Sequence, residues 1–322
     1  MIHRCLGVFI GLCLAWPFAA GTASAGVELL AADYPVYLFT RSLLAGAPDS
    51  RVTLLTAAAG CPHDHVLVPA ELETLSRAEI LVIGGLGLDA FLERALGVAK
   101  PNMKIIDANG GGLAVRPGVN PALVLDPAAA LKWYRAPEPD RPDPHIFASL
   151  SGAMIMTDNL AEALARLDPQ GAELYRVNAG AVNAEYRRIL DRFRAVADRW
   201  PPKPRVILSH GVLRYLAADL GLDVADVIEG AGEEPVSAAR LAELASRARE
   251  CAAVLADPDG QLDLARTVGA EAGRPVAVID PVVSGPPDPP EDYFQKVFLT
   301  NLAVLDKLFT RPAAAPAGRT RK

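Results

Sequence analysis

The strongest constraint on this chain is an alternation. Short β-branched and aliphatic runs take turns with helical repeats in two separate blocks, and a nearly unbroken helical stretch lies between them at 151–200. In the first block Val52-Thr53-Leu54-Leu55, Ile80-Leu81-Val82-Ile83 and Lys104-Ile105-Ile106-Asp107 read as strands. Between them, 69–76 opens on Pro69 and spaces leucines as a helix does, and 89–96 is expected to do the same. The second block repeats the scheme: strands at 205–209, 222–228, 252–256 and 276–279, with helices at 211–220, 235–250 and 262–272 and a closing helix at 293–309. Strand, helix, strand, helix implies parallel pairing in an α/β layer.

The expected architecture is therefore two α/β lobes, each a parallel-type sheet with flanking helices, at 26–150 and 201–310. The 151–200 segment joins them, interrupted once at Asp168-Pro169. Its second helix, 170–199, would be about 45 Å long at 1.5 Å per residue, longer than a small domain is wide, and so is expected to run between the lobes as a strut. Val177, Ala181, Ala184, Ile189, Phe193 and Val196 are expected to form its apolar stripe. Residues 109–144 are glycine- and proline-rich and read as loop, and 311–322 as a disordered tail.

The N-terminus bears on location. Arg4 precedes an apolar stretch from Leu6 to Ala20, and Ala23-Ser24-Ala25 offers a small-residue cleavage site. Pro17 breaks the run, which falls short of the roughly 20 residues a membrane span needs. Residues 1–25 are read as a signal peptide cleaved near Ala25, making the mature protein periplasmic. The formal charge of −6 becomes −7 once Arg4 leaves, and the only basic run sits at the extreme C-terminus. That excludes nucleic acid as a partner, because phosphate binding requires a cationic face. Cys61 and Cys251 are the cysteines left after cleavage; far apart in sequence, they are not expected to pair.

Four of the 5 histidines survive cleavage: His63, His65, His145 and His210. His210 directly follows a strand ending at Ser209, and Asp280 follows one ending at Ile279. Ligands collect at the carboxyl ends of strands in open α/β sheets. His63 follows a strand and its loop, and His145 lies where a loop meets a helix. Singly, each reads as a surface or capping residue. As a set, three imidazoles and a carboxylate at strand ends suit a borderline divalent ion.

Five blocks in this chain resemble the zinc and manganese solute-binding proteins of ABC transporters. They are Tyr34-Pro35-Val36-Tyr37; Cys61-Pro62-His63-Asp64-His65 with Gly85-Leu86-Gly87-Leu88-Asp89; Asp143-Pro144-His145-Ile146-Phe147; Ser209-His210 with Tyr215-Leu216; and Asp280-Pro281 with the helix from Asn301. The resemblance implies one metal held by His63, His145, His210 and Asp280, with His65 packing beside it. His at the third position implies zinc as the transported ligand, with manganese second. It also implies a membrane permease as partner, and the protein is read as a monomer without enzymatic activity. The alternatives are a manganese carrier, a periplasmic zinc chaperone or, in another class, a zinc-dependent hydrolase. The sequence departs from the family pattern in having Cys61 where a polar residue is usual, no histidine in 113–141, and Ala148-Ser149-Leu150 after the third block.

Overall fold

The computed structural model describes residues 26–56, 65–109, 124–125, 143–228 and 236–310. Two sheets carry the architecture. β1 (Glu28–Ala31), β2 (Arg51–Leu54), β3 (Ile80–Ile83), β4 (Lys104–Asp107) and β5 (Val124–Leu125) form one, in the order β2-β1-β3-β4-β5. β6 (Arg205–Leu208), β7 (Asp223–Val227), β8 (Ala253–Ala256) and β9 (Val276–Val278) form the other, in the order β7-β6-β8-β9. All described pairs are parallel except β4–β5. In both sheets the earliest strand lies between the second and third, so each sheet has a switch point beside that strand. The inner strands of the second sheet are apolar because both faces are covered: all four residues of β8 are buried, as are the last three of β6.

Local signals set the helix starts. α1 (Tyr34–Leu43) begins at Asp33, whose carboxylate accepts the Val36 N–H, with Pro35 in the first turn. α2 (Pro69–Arg77) opens on proline, and the Glu71 carboxylate reaches back to the Val68 N–H at 2.9 Å. α3 (Leu150–Leu167) is capped by Ser149, which accepts the Gly152 N–H. The departure at Ala148-Ser149-Leu150 thus supplies a working helix start. The later helices are α4 (Ala172–Ala197), α5 (Arg214–Asp219), α6 (Ala238–Ala248), α7 (Leu262–Ala272) and α8 (Tyr293–Thr310).

α4 is the expected long helix, with 26 residues and a length of about 39 Å. Pro169 lies in the turn before it, not in its first turn. It runs along α3 and also touches α1 from the first half and α8 from the second. Its buried stripe is Tyr175, Ala179, Tyr186, Ile189, Leu190 and Phe193. Ile189 and Phe193 of the expected stripe are in it, and Val196 packs half-buried against the same core. Val177 is 56% exposed and Ala181 and Ala184 face solvent, because the two tyrosines and not the small residues point inward. Phe39 of α1, Tyr186 of α4 and Phe294 of α8 interlock, with Phe294 5.1 Å from Phe39 and 5.2 Å from Tyr186 between ring centroids. One continuous apolar core therefore includes residues of both sheets and of α4.

The expected helix at 89–96 does not form. Short 3-10 turns at Ala90–Leu92 and Leu96–Val98 take its place. The cause is the preceding loop: the Asp89 carboxylate turns back to accept the N–H groups of Gly84 and Gly85. Gly85 has φ +80, and a Cβ there would lie 2.1 Å from the Asp107 carboxylate, so only glycine fits. The segment 211–220 likewise splits into a 3-10 turn at Gly211–Leu213 followed by α5.

Candidate metal site

The second sheet delivers its polar side chains at the carboxyl ends of its strands. His210 follows β6, Asp257 follows β8 and Asp280 follows β9 by one residue. His145 comes from outside this sheet, as the first residue of a 3-10 turn, His145–Ala148, leading into α3. That turn packs on the Gly211–Leu213 turn and on α5. The contact draws His145 and His210 together, with ring centroids 5.1 Å apart and planes inclined at 71°. His145, within the 26–150 segment, is thus seated against the turn and helix that follow β6 of the second sheet.

A carboxylate backs each imidazole. His145 Nδ1 lies 2.9 Å from Asp143 Oδ1, and the same oxygen accepts the His145 N–H at 3.0 Å. Asp143 is held in turn by Tyr215, whose hydroxyl donates to its carbonyl at 2.9 Å, and by Arg214, 3.9 Å from its second carboxylate oxygen. Burial works against charge on Asp143, but His145 and Arg214 outweigh it and hold the carboxyl below its ordinary range. His210 Nδ1 lies 3.7 Å from Asp257 Oδ2. Asp257 is 2% exposed and fixed by Ser209, whose hydroxyl donates to its carboxylate and accepts its N–H. With both Nδ1 atoms facing carboxylates, Nε2 is the nitrogen each ring would offer to an ion.

Asp280 belongs to the same electrostatic neighbourhood. Burial raises its carboxyl above the ordinary range, the Val282 N–H opposes that shift, and the carboxylates of Asp259 and Asp257 add to it. One aspartate thus stands behind each imidazole, and Asp257, behind His210, also acts on Asp280. Among the described residues no group of three or more His, Cys, Asp or Glu side chains gathers into a metal cluster. His63 and Cys61 lie outside the described residues. His65 is engaged elsewhere, with Nε2 2.9 Å from the Glu71 carboxylate and its ring edge-on to Phe91.

The place of Asp257 behind His210, and the hydrogen bonds of Asn301 to the Asp280 main chain, were not read from the sequence. Asp257 was accessible by the strand-end rule that selects His210 and Asp280, since it directly follows the run Ala253–Ala256. A cavity of about 590 Å³ between α1, α4 and the start of α8 is lined by none of the candidate ligands. No helix among the described residues is long and apolar enough to cross a membrane.

Comparison with known proteins gives this geometry a context. The family model "Zinc-uptake complex component A periplasmic" matches residues 30–307. The "Manganese-binding lipoprotein MntA" of Halalkalibacterium halodurans is 25% identical over 56% of this chain and 54% of its own length. The "Zinc-binding protein AdcA" of Streptococcus pyogenes serotype M6 is 22% identical over 81% of this chain and 51% of its own. The chain thus spans about half the length of the curated relatives it matches. Among solved structures, ZnuA superposes with a TM-score of 0.68 at 25% identity, covering 88% of this chain and 98% of that one. FpvC of Pseudomonas aeruginosa, solved with Ni2+, superposes with a TM-score of 0.72 at 20% identity, covering 90% and 99%, and so shares the fold. On the extent of the family match, the chain belongs to the ZnuA family, the periplasmic component A of zinc-uptake complexes.

Proposed function

We propose that this protein captures one zinc ion in the periplasm and delivers it to the permease of an ABC transporter. The reading assigns the metal to His63, His145, His210 and Asp280. The observation that carries it is the His145–His210 pair, 5.1 Å apart, with an aspartate behind each ring. Neutral imidazoles supply borderline nitrogen donors that suit zinc, and Asp280 would supply the anion. In this reading 26–150 and 201–310 are the two metal-binding lobes, 151–200 the strut, and the protein works as a monomer after a signal peptide is cleaved near Ala25. The shared aromatic core along α4 supports a small closing motion, because closing by a large angle would separate Phe294 from Phe39 and Tyr186.

Manganese is the second reading, favoured by the relative named as a manganese-binding lipoprotein and by FpvC solved with Mn2+. The hydrolase alternative falls away, since the family is one of metal-binding solute-binding proteins, not enzymes. Elemental analysis of the purified protein, followed by a titration with zinc and manganese in competition, tests the proposal. One zinc per chain that manganese fails to displace supports it; no bound metal, or an equal preference, rejects zinc.

A further inference from the structure

Asn301 lies on the inward face of α8, 3% exposed, and its amide is committed on both sides to a single residue. Its Oδ1 accepts the Asp280 N–H at 3.1 Å, and its Nδ2 donates to the Asp280 carbonyl at 2.7 Å. Asp280 has left β9 by this point and has no ladder partner, so the side chain of a helix stands in for a neighbouring strand. An amide is the group that can do this, because it offers a donor and an acceptor in one plane.

The carboxylate is fixed from the other side. The Val282 N–H donates to Asp280 Oδ1 at 2.7 Å. To make that bond Val282 takes φ +64, an unfavourable conformation for a β-branched residue, and it is fully buried. The loop is tied again beyond this point: the Tyr34 hydroxyl donates to the Pro286 carbonyl at 3.0 Å, and a Cβ on Gly285 would lie 2.4 Å from that hydroxyl. Oδ1 already accepts a main-chain N–H, which would leave Oδ2 as the oxygen for a ligand.

We infer that Asn301 is a positioning residue for the metal. It fixes the main chain of Asp280 so that the carboxylate enters the coordination sphere through one oxygen, Oδ2, and this inference rests on the proposed assignment of Asp280 as a ligand. Groups that orient a ligand from behind affect affinity by about 10–100-fold when removed. Losing the clamp should therefore weaken zinc binding by that factor and disturb the geometry around the ion, not merely the stability of α8.

The test uses the full mature chain with Zn2+ and, as a spectroscopic substitute, Co2+. Asn301→Ala should weaken zinc binding about 10–100-fold and change the intensity and position of the visible Co2+ bands. Asn301→Asp keeps the side-chain volume but loses the donor to the Asp280 carbonyl; it should show the same spectral change, and it serves if the alanine variant does not fold. The decisive comparison repeats both substitutions in an Asp280→Ala background, where neither should weaken zinc binding further. An Asn301 variant with wild-type affinity and spectrum, or an equal loss in both backgrounds, overturns the inference. Zinc affinity unchanged by Asp280→Ala alone overturns the ligand assignment instead, and the positioning role with it.

Discussion

His145 and His210 meet edge to face, 5.1 Å apart, though one leads into the long helical segment and the other follows the first strand after it. The approach depends on a short anchor: the residues around His145 are held by Tyr215 and Arg214 of α5, a few residues beyond His210. His145→Ala or His210→Ala should each weaken zinc binding by about 100-fold or more, beyond the range expected for a supporting residue. His65→Ala should change it little, since His65 is already committed to Glu71 and Phe91. Equilibrium competition against a chelator of known affinity measures all three.

Asp143→Asn should weaken zinc binding by about tenfold. The asparagine oxygen can still accept from His145 Nδ1, but the negative charge that makes the ring a better donor is lost. Asp143→Ala should cost more, because the ring then loses its orientation as well. The graded series Asp, Asn, Ala, followed by zinc titration, separates charge from geometry.

Much of the fold was legible in the sequence, and the reason is physical. Strands buried on both faces are apolar runs, so β3, β6 and β8 stand out against their helices. What stayed hidden depended on tertiary partners. The 89–96 segment carries a helical spacing, yet Asp89 is drawn back to Gly84 and Gly85 and the helix is lost. The stripe on α4 is set by Tyr175 and Tyr186, whose rings outcompete the smaller Val177 and Ala181 for the interior. Of the candidate site, the strand ends singled out His210 and Asp280 as candidates, and only as a set with the other histidines did they suggest a metal. Asn301 was not, because a helical asparagine shows its role only when the partner backbone is in view.

A second consequence concerns stability. Asp33 and Asp89 are both fully buried beside the loop at Gly84. Burial lifts the Asp33 carboxyl to about 6 and raises Asp89 well above its usual range, with the charge on Asp33 adding to the shift on Asp89. Between an unfolded value of 3.8 and a folded value of about 6 the native state binds more protons than the unfolded chain. Stability should therefore fall as pH rises through that window and stay lower above it. Asp33→Asn preserves the cap on Val36 and removes the charge, so it should stabilise the protein at pH 7.5 by on the order of 1–3 kcal/mol. Urea denaturation of both proteins at pH 4.5 and 7.5 checks this, the gain being smaller at the lower pH.

Metal preference should turn on His210. Imidazole suits zinc, while harder oxygen donors suit manganese. His210→Glu would leave two histidines and two carboxylates around the ion and should narrow the zinc-over-manganese ratio by at least about tenfold, or 1.4 kcal/mol. A ratio identical to wild type would remove His210 from the coordination sphere.

Metal-dependent thermal unfolding tests most directly whether the native chain holds one zinc ion. A ligand bound only by the native state stabilises it by about 2.7 kcal/mol at a hundredfold excess over Kd. The melting temperature of chelator-treated protein should rise as zinc is added, saturating at one equivalent per chain. The rise should be greatly reduced in a His145→Ala, His210→Ala double variant. A melting temperature unmoved by zinc in the wild type, or a full rise in the double variant, would contradict the account.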